Sequence, residues 1–276
     1  ALNQQLLKLE KELGTPLFHR SRTNWRLTEA GEIYIEGAKA ALQIKNTTYN
    51  RIYDVVSARK GHLTIGLTPG RGLRMFTAIY PELHRSFPNL DVRPIEMRVR
   101  AQQDAIAKGD IDVGLMTLTQ KDQTSDTYYP LKQEELVLII PSGHPLAEKA
   151  APSGEPLATL DLTELRYEPF VLMDKTSTLR SSCDLLFEKA GFAPNILFET
   201  NNTSGIAAMV QSTLCCGIIP RYYTLGLTEG VACFSLPERP SWEIVISCQK
   251  NAYLNSGARE FIRLAREYWE NSAPLF

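Results

Sequence analysis

The chain has 276 residues, of which 43% are hydrophobic and 22% charged, a composition typical of a soluble globular protein with about two domains. The formal net charge of −1, from 30 Lys+Arg and 31 Asp+Glu, excludes a chain that is basic throughout but allows a local basic patch. No run approaches the roughly 18 apolar residues that a membrane helix requires, which excludes a membrane-spanning protein.

Residues 1–60 predict a helix, a short hairpin and a long helix. The first helix places leucines on one face, at Leu2, Leu6, Leu9 and Leu13. Gly14 ends it, and the basic stretch at residues 19–26 alternates like a hairpin. Thr28 is the predicted N-cap of a helix from about residue 29 to residue 60, whose apolar positions nearly follow a heptad repeat. Such a helix is expected to pair with a second chain rather than to lie alone.

From His62 onward the apolar pattern changes to alternating strands and helices. Strands are predicted at residues 63–67, 90–99, 111–116, 135–141, 170–173, 196–199, 217–220 and 242–248. Helices are predicted at residues 73–87, 101–108, 178–190, 204–212 and 256–269, and residues 117–129 are predicted to be irregular. This alternation predicts an α/β fold with a parallel sheet and right-handed crossovers, in two similar units.

Motifs for catalysis or metal binding are weak. The five cysteines lack CxxC spacing and no histidine cluster accompanies them, so they are predicted to be reduced thiols of a cytoplasmic protein. No secretory signal is visible at the start of the chain. GRG at residues 70–72 begins like a dinucleotide fingerprint, but Met75 stands where the third glycine would be. The sequence therefore predicts no cofactor, no metal and no enzyme.

The segment LEKELGTPLFHRSRTNWRLTEAG resembles the end of the winged helix-turn-helix of the LysR-type transcriptional regulators. The matching positions, in order and without gaps, are Leu9, Glu10, Leu13, Gly14, Leu17, Phe18, Arg20, Leu27, Thr28, Ala30 and Gly31. Further agreement comes from LTIG at 63–66, FPNL at 87–90, GDIDVGL at 109–115, SGHPLA at 142–147 and TNNTSGIAAMV at 200–210. The resemblance covers essentially the whole chain. It also implies that roughly thirty residues of the helix-turn-helix precede Ala1, because the first helix of that motif braces the second.

The resemblance implies an α/β protein with three parts. These are an incomplete winged helix-turn-helix at residues 1–31, a linker and dimerisation helix at 32–60, and a LysR effector-binding domain at 61–276. That domain is expected to be two-lobed, Rossmann-like and similar to periplasmic binding proteins. Lobe I is expected at about 61–130 plus 252–276, and lobe II at about 131–251. A homodimer or homotetramer is the expected assembly.

The expected DNA-binding residues lie in the first part of the chain. Amides on the polar face of the first helix can pair with adenine edges, and basic side chains there and in the wing can neutralise phosphates. The candidates are Asn3, Gln4, Gln5, Lys8, Arg20, Arg22 and Arg26.

The expected effector-binding residues lie in three loops that join strands to helices, and after one further strand. Free backbone N–H groups at helix starts favour anions, and an arginine can clamp a carboxylate. The candidates are Thr68, Gly70, Arg71, Arg98, Thr176, Ser177, Asn202 and Thr203. The alternatives are plain N-capping for the hydroxyl residues and an exposed surface charge for the two arginines.

The resemblance implies a cytoplasmic, DNA-binding transcriptional regulator that is controlled by a small-molecule effector between the lobes, with an anionic effector favoured. Its expected partners are double-stranded promoter DNA, the effector and further copies of itself. RNA polymerase is a further possible partner, and no contact with a membrane is expected. The alternative is a periplasmic-type solute-binding protein for a small metabolite. Peroxide sensing is not predicted, because Thr178 stands where peroxide-sensing members carry a reactive cysteine.

Overall fold

A computed structural model describes residues 2–19, 24–56, 59–152, 154–227 and 229–272. The helices are α1 Leu2–Leu13, α2 Glu29–Val55, α3 Arg71–Ser86, α4 Val99–Lys108, α5 Thr178–Ala190, α6 Thr203–Gln211 and α7 Ser256–Glu270. The strands are β1 Phe18–His19, β2 Arg26–Leu27, β3 Lys60–Leu67, β4 Asn89–Glu96, β5 Val113–Leu118, β6 Thr127–Pro141, β7 Pro169–Met173, β8 Asn195–Thr200, β9 Gly217–Pro220, β10 Val231–Ser235 and β11 Ser241–Cys248.

Side-chain hydrogen bonds join α1, the β1–β2 hairpin and the start of α2. Glu10 is buried and accepts a hydrogen bond from the Leu17 amide at 2.8 Å. Thr28 accepts one from the Gly31 amide at 3.0 Å, which confirms it as the N-cap of α2. Gly31 packs so closely on Leu17 that a Cβ there would lie 2.0 Å from the Leu17 carbonyl oxygen. The close approach explains why this position is glycine.

Helix α2 ends at Val55, so the prediction that it continues to about residue 60 is wrong. Lys60 already belongs to β3, and Arg59 and Gly61 have positive φ angles of 45° and 144°. The Asn50 side chain hydrogen bonds with the His62 backbone, which draws β3 alongside the last turns of α2. A helix that ran on would carry β3 away from these contacts.

The central sheet has seven strands, in the order β10-β6-β11-β5-β3-β4 with β9 also paired to β6. Strand β3 lies parallel to both β4 and β5, which confirms the predicted parallel βαβαβ unit. The sheet as a whole is mixed rather than parallel, because β11 runs antiparallel to β5 and β6. Strands β7 and β8 form a separate parallel pair.

Several element boundaries differ from the prediction. Strand β4 ends at Glu96, and Val99, predicted as strand, is the first residue of α4, where its side chain packs near Ile106. Strand β6 begins at Thr127, inside the stretch predicted to be irregular, and β10 was not predicted at all. Short apolar patterns near turns do not distinguish a strand from the first turn of a helix.

Strands β6 and β11 connect two apolar cores. Leu131, in the first half of β6, contributes to a core with β3, α3 and α7, which we call lobe I. Leu136, in its second half, contributes to a core with β7 and α5, which we call lobe II. Strand β11 falls within the range predicted for lobe II, yet its backbone pairs with β5 of lobe I. The residue ranges of the two lobes therefore stay a prediction.

In the part of the chain that the structure describes, no helix combines the length and apolar character needed to cross a membrane.

Candidate functional site

A cavity of about 490 Å³ lies where α3, α4, α5 and α6 begin. All eight predicted effector-binding residues line it: Thr68, Gly70, Arg71, Arg98, Thr176, Ser177, Asn202 and Thr203. They come together because the strands that precede these helices end on the same side of each lobe. Helix starts carry unpaired N–H groups and the positive end of the helix dipole, so the cavity suits a polar or anionic ligand.

Thr68 and Gly70 form the wall at the start of α3. Thr68 is buried, and its Oγ1 has no hydrogen-bond partner among the described residues. A buried hydroxyl without a partner costs free energy, and a bound ligand could supply the missing hydrogen bond. Gly70 has φ of +76°, and a Cβ there would lie 3.4 Å from the Tyr223 hydroxyl oxygen. The positive φ favours glycine at this point of the wall, whereas the distance to Tyr223 is an ordinary contact.

Arg71 is 4% exposed, so the alternative of an exposed surface charge is wrong for this residue. Its Nη1 donates to Glu134, and its guanidinium lies 5.4 to 5.7 Å from the ring centres of Trp242, Tyr223 and Tyr222. Burial acts to lower the pKa of Arg71, but the attraction and hydrogen bond of Glu134, together with the nearby Tyr223 and Tyr222, raise it. Arg71 therefore stays charged, with its charge already balanced inside the protein.

Arg98 precedes α4 in lobe I and reaches across the cleft to lobe II. Its Nη1 donates to Asp174 Oδ1 at 2.7 Å and also to Thr176 Oγ1. The Arg98 side chain is 41% exposed and that of Asp174 26%. The hydrogen bond from Arg98, followed by those from Thr176, lowers the pKa of Asp174 to about 2 although burial opposes the change.

The lobe II wall consists of helix caps. Ser177 accepts a hydrogen bond from the Leu179 amide at 3.2 Å and caps α5. Asn202 accepts one from the Ser204 amide at 3.0 Å and caps α6. N-capping, the alternative for these two residues, is thus present, and it leaves them on the cavity wall.

Sequence reasoning missed several residues of the cavity. Tyr223 and Trp242 line it, and Glu134 balances Arg71, but each lies far along the chain from the loops that the sequence marks. No local pattern identifies them. Asp174 does not line the cavity but pairs with Arg98, which does. Its side chain accepts a hydrogen bond from the Thr176 amide two residues on, a turn that the D-x-T spacing could have indicated.

The predicted DNA-binding residues that the structure describes are exposed: Asn3, Gln4, Gln5 and Lys8 on α1, and Arg26 on β2. Two further candidates, Arg20 and Arg22, lie outside the described residues. The helix and the hairpin thus offer an exposed surface of amide and basic side chains.

The cysteines lie in or near the protein core. Burial raises the pKa of Cys183 and of Cys216 to about 12 and that of Cys233 to about 11. Because the thiolate is the reactive form, these thiols are poor nucleophiles at neutral pH. Among the described residues no cluster of His, Cys, Asp or Glu could hold a metal ion.

Comparison with known proteins gives matches over nearly the whole chain. The family model of the LysR substrate binding domain matches residues 57–270, and that of the bacterial regulatory helix-turn-helix protein of the lysR family matches residues 1–32. The uncharacterized HTH-type transcriptional regulator YcgK of Bacillus subtilis (strain 168) is 27% identical, over 97% of this chain and 85% of its own. YwbI of the same organism is 28% identical, over 98% and 87%.

Solved structures show the same fold. Full-length OxyR from Pseudomonas aeruginosa has a TM-score of 0.68 at 19% identity, covering 100% of this chain and 89% of that chain. The effector binding domain of QuiR in complex with shikimate has a TM-score of 0.63 at 18% identity, covering 76% and 98%.

These findings define a class of protein in which a helix-turn-helix is attached to a two-lobed α/β effector-binding domain. The chain belongs to the LysR family of transcriptional regulators. Its relatives are regulators rather than enzymes, and the helix-turn-helix match at residues 1–32 argues against the solute-binding alternative.

Proposed function

We propose that this regulator is controlled by a small polar molecule that binds in the cavity between lobe I and lobe II. The observation that carries the proposal is the cavity wall itself, where the buried Thr68 hydroxyl, which has no hydrogen-bond partner among the described residues, lines the same space as the helix starts of lobe II. Because the wall already contains unpaired polar groups and helix N-termini, a ligand can hydrogen bond to them without first breaking contacts inside the protein. The solved QuiR domain, which has the same fold, is described in complex with shikimate.

Binding would act by changing how the two lobes lie relative to each other. Contacts from both walls favour a closed arrangement, and β6 and β11, which run between the lobes, are the natural place for the bend. A ligand shifts such an equilibrium only by its differential affinity for the two states, and about 1–3 kcal/mol suffices for a useful switch. The change would alter the spacing of the DNA-binding parts in a dimer or tetramer, and with it the fit to promoter DNA.

The other parts of the proposal follow the expected division into residues 1–31, 32–60 and 61–276. The exposed amides of α1, with Lys8 and Arg26, would contact DNA in the cytoplasm. Dimerisation would use α2, on which Ile44 is 69% exposed and Ile52 51% exposed. Exposed apolar side chains along one helix are typical of a surface that packs against a second chain.

Thr68→Val tests the cavity. Thermal unfolding of the protein with a library of small metabolites identifies the ligands that stabilise it, and calorimetry then gives their dissociation constants. We expect ligands found in this way to bind Thr68→Val about 5–10 times more weakly, because one hydrogen bond is lost. The free variant should be as stable as the natural protein or slightly more so, because the hydroxyl that valine replaces has no partner.

Thr77→Val is the matched control, since Thr77 is an exposed threonine of α3 that does not line the cavity. It should leave the dissociation constant unchanged. A library without any stabilising ligand, or ligands that bind equally well to Thr68→Val, would contradict the proposed site.

A further inference from the structure

We propose that Asp174 holds, in the free protein, the place at Arg98 that a carboxylate of the effector takes when it binds. Asp174 would then be both a contact between the lobes in the free protein and the residue that sets the preference of the cleft for a carboxylate ligand. The proposal rests on the proposed function, because it assumes that the effector occupies this cavity.

The geometry shows an anion site that the protein fills itself. Asp174 Oδ1 accepts hydrogen bonds from Arg98 Nη1 at 2.7 Å, from the Thr176 amide at 3.0 Å and from Thr176 Oγ1 at 2.5 Å. One donor comes from lobe I and two from the turn before α5 in lobe II. A guanidinium, a backbone amide and a hydroxyl that converge on one oxygen are what a carboxylate ligand needs. The depressed pKa of Asp174 agrees with this environment.

Asp174 satisfies this anion site only in part, so a carboxylate ligand can displace it. The second oxygen of Asp174, Oδ2, is buried and has no hydrogen-bond partner among the described residues. A buried acceptor without a partner weakens the hold of Asp174 on its site. A free carboxylate is not tied to the backbone of lobe II, so it could meet the planar guanidinium of Arg98 with both oxygens.

The other arginine of the cavity shows the contrast. Arg71 is paired with Glu134, whose side chain is fully buried. Glu134 also accepts hydrogen bonds from Trp242 Nε1 at 2.7 Å and from the Tyr222 amide at 3.0 Å, so both of its oxygens are engaged. The Arg71–Glu134 pair is therefore not expected to separate. Arg98 and Asp174, in contrast, are partly exposed and belong to different lobes. Arg98 is therefore the cation that a ligand can take over.

Asp174→Ala tests the idea with acetate, the simplest free carboxylate. The substitution removes the cross-lobe contact and should lower the melting temperature. Sodium acetate, compared with sodium chloride at equal ionic strength, should then raise the melting temperature of the variant by about 2–4 °C more than that of the natural protein, whose site is already filled. If Asp174→Ala folds poorly, Asp174→Asn undergoes the same comparison, because asparagine keeps an acceptor for the Thr176 amide.

Two further variants separate site binding from a general salt effect. In Arg98→Gln/Asp174→Ala the extra stabilisation by acetate should disappear, because the cation of the site is gone. In Asp91→Ala, which removes an exposed aspartate paired with Arg93 outside the cavity, acetate and chloride should differ as they do for the natural protein. Equal effects of the two salts on Asp174→Ala, or a rescue that persists without Arg98, would overturn the proposal.

Carboxylate ligands from the metabolite library give a second test of the role of Asp174. They should bind Asp174→Ala several times more tightly than the natural protein, because no internal carboxylate competes for Arg98. If instead only uncharged ligands occupy the cavity, the proposed function stands and the role of Asp174 is refuted. If no ligand is found, the proposed function fails while the acetate comparison still reports on the anion site.

Discussion

Arg71 is a buried charge on the cavity wall, and its counter-charge lies inside the protein. Its position at the start of α3 does put it on the cavity wall. Its charge, however, is balanced by Glu134, and aromatic rings of Tyr222, Tyr223 and Trp242 surround it. Removing one member of a buried ion pair leaves the other charge without compensation, which costs far more than the pair itself contributes. Arg71 therefore supports the wall of the cavity as well as facing it.

Arg71→Leu should lower the free energy of unfolding by about 3–5 kcal/mol, because it leaves the buried Glu134 carboxylate without its cation. Urea unfolding measures the loss. Arg93→Leu is the control, since Arg93 forms an exposed pair with Asp91 and such pairs contribute about 1 kcal/mol or less. Equal losses in the two variants would show that the Arg71–Glu134 pair has no special weight in the fold.

At the scale of the element, α1 has an exposed polar face, and part of its leucine face is exposed as well. Its leucines were predicted to pack, but Leu2 is 84% exposed and Leu13 is 45% exposed, while Leu6 and Leu9 are half-buried. Within the described residues, the middle of the leucine face is thus more buried than its two ends. Glu10 helps to hold α1 in place in the described part of the chain, because its carboxylate accepts a hydrogen bond from the Leu17 amide beyond the helix.

Lys8→Gln tests whether α1 faces DNA. If the Lys8 ammonium neutralises one phosphate, the substitution should reduce the slope of log K against log salt concentration by about 0.9, because one counterion fewer is released. Binding of the natural protein and the variant to a mixed-sequence duplex over a salt series measures the slope. Lys189→Gln removes an exposed lysine of α5 and should leave it unchanged. An unaltered slope in Lys8→Gln would place this side chain away from the DNA.

At the scale of the whole molecule, the end of α2 is fastened to lobe I. Asp54 accepts hydrogen bonds from the Ser256 amide at 3.0 Å, from Ser256 Oγ at 2.6 Å and from the Tyr253 hydroxyl at 2.6 Å. It thus lies at the start of α7, where a negative charge also meets the positive end of the helix dipole. Nearer the start of α2, the Lys39 ammonium pairs with the Asp110 carboxylate at 2.8 Å. A movement of lobe I would therefore carry α2 with it.

Asp54→Ala should lower the free energy of unfolding by about 1–2 kcal/mol at neutral pH, because the hydrogen bonds that it accepts from Ser256 at the start of α7 and its interaction with the helix dipole are lost. Burial acts to raise the pKa of Asp54, but the hydrogen bonds from Ser256 and Tyr253 outweigh it and lower the pKa. A carboxyl whose pKa is lower in the folded state stabilises above its unfolded pKa near 4, and the effect fades as pH falls through the folded value.

The natural protein and Asp54→Ala should therefore differ most at neutral pH and converge in acid, which unfolding measured over a pH series checks. Hydrogen exchange should also become faster at the Ser256 amide in the variant. Glu36→Ala, which removes an exposed carboxylate of the same helix, is the control and should change neither quantity. Variant and natural protein with the same stability at neutral pH would mean that Asp54 does not fasten α2.

Local patterns in the sequence were sufficient for most helices, for the parallel βαβαβ unit and for the loops that line the cavity. The reason is that caps, turns and apolar periodicity act over a few residues, as with Thr28, Ser177 and Asn202, whose capping contacts all join near neighbours. The prediction was weakest where a segment is shaped by distant partners, as in the first half of β6, which pairs with β11 more than a hundred residues along the chain.

The sequence by itself determined the family, the order of most of the elements and the eight residues now seen around one cavity. Only the tertiary structure decided which carboxylate each arginine of that cavity is paired with. Glu134 lies 63 residues from Arg71, and Asp174 lies 76 residues from Arg98. Whether an arginine is available to a ligand depends on the nearest carboxylate in space. That neighbour is determined by the tertiary structure and not by the spacing of the two residues in the sequence.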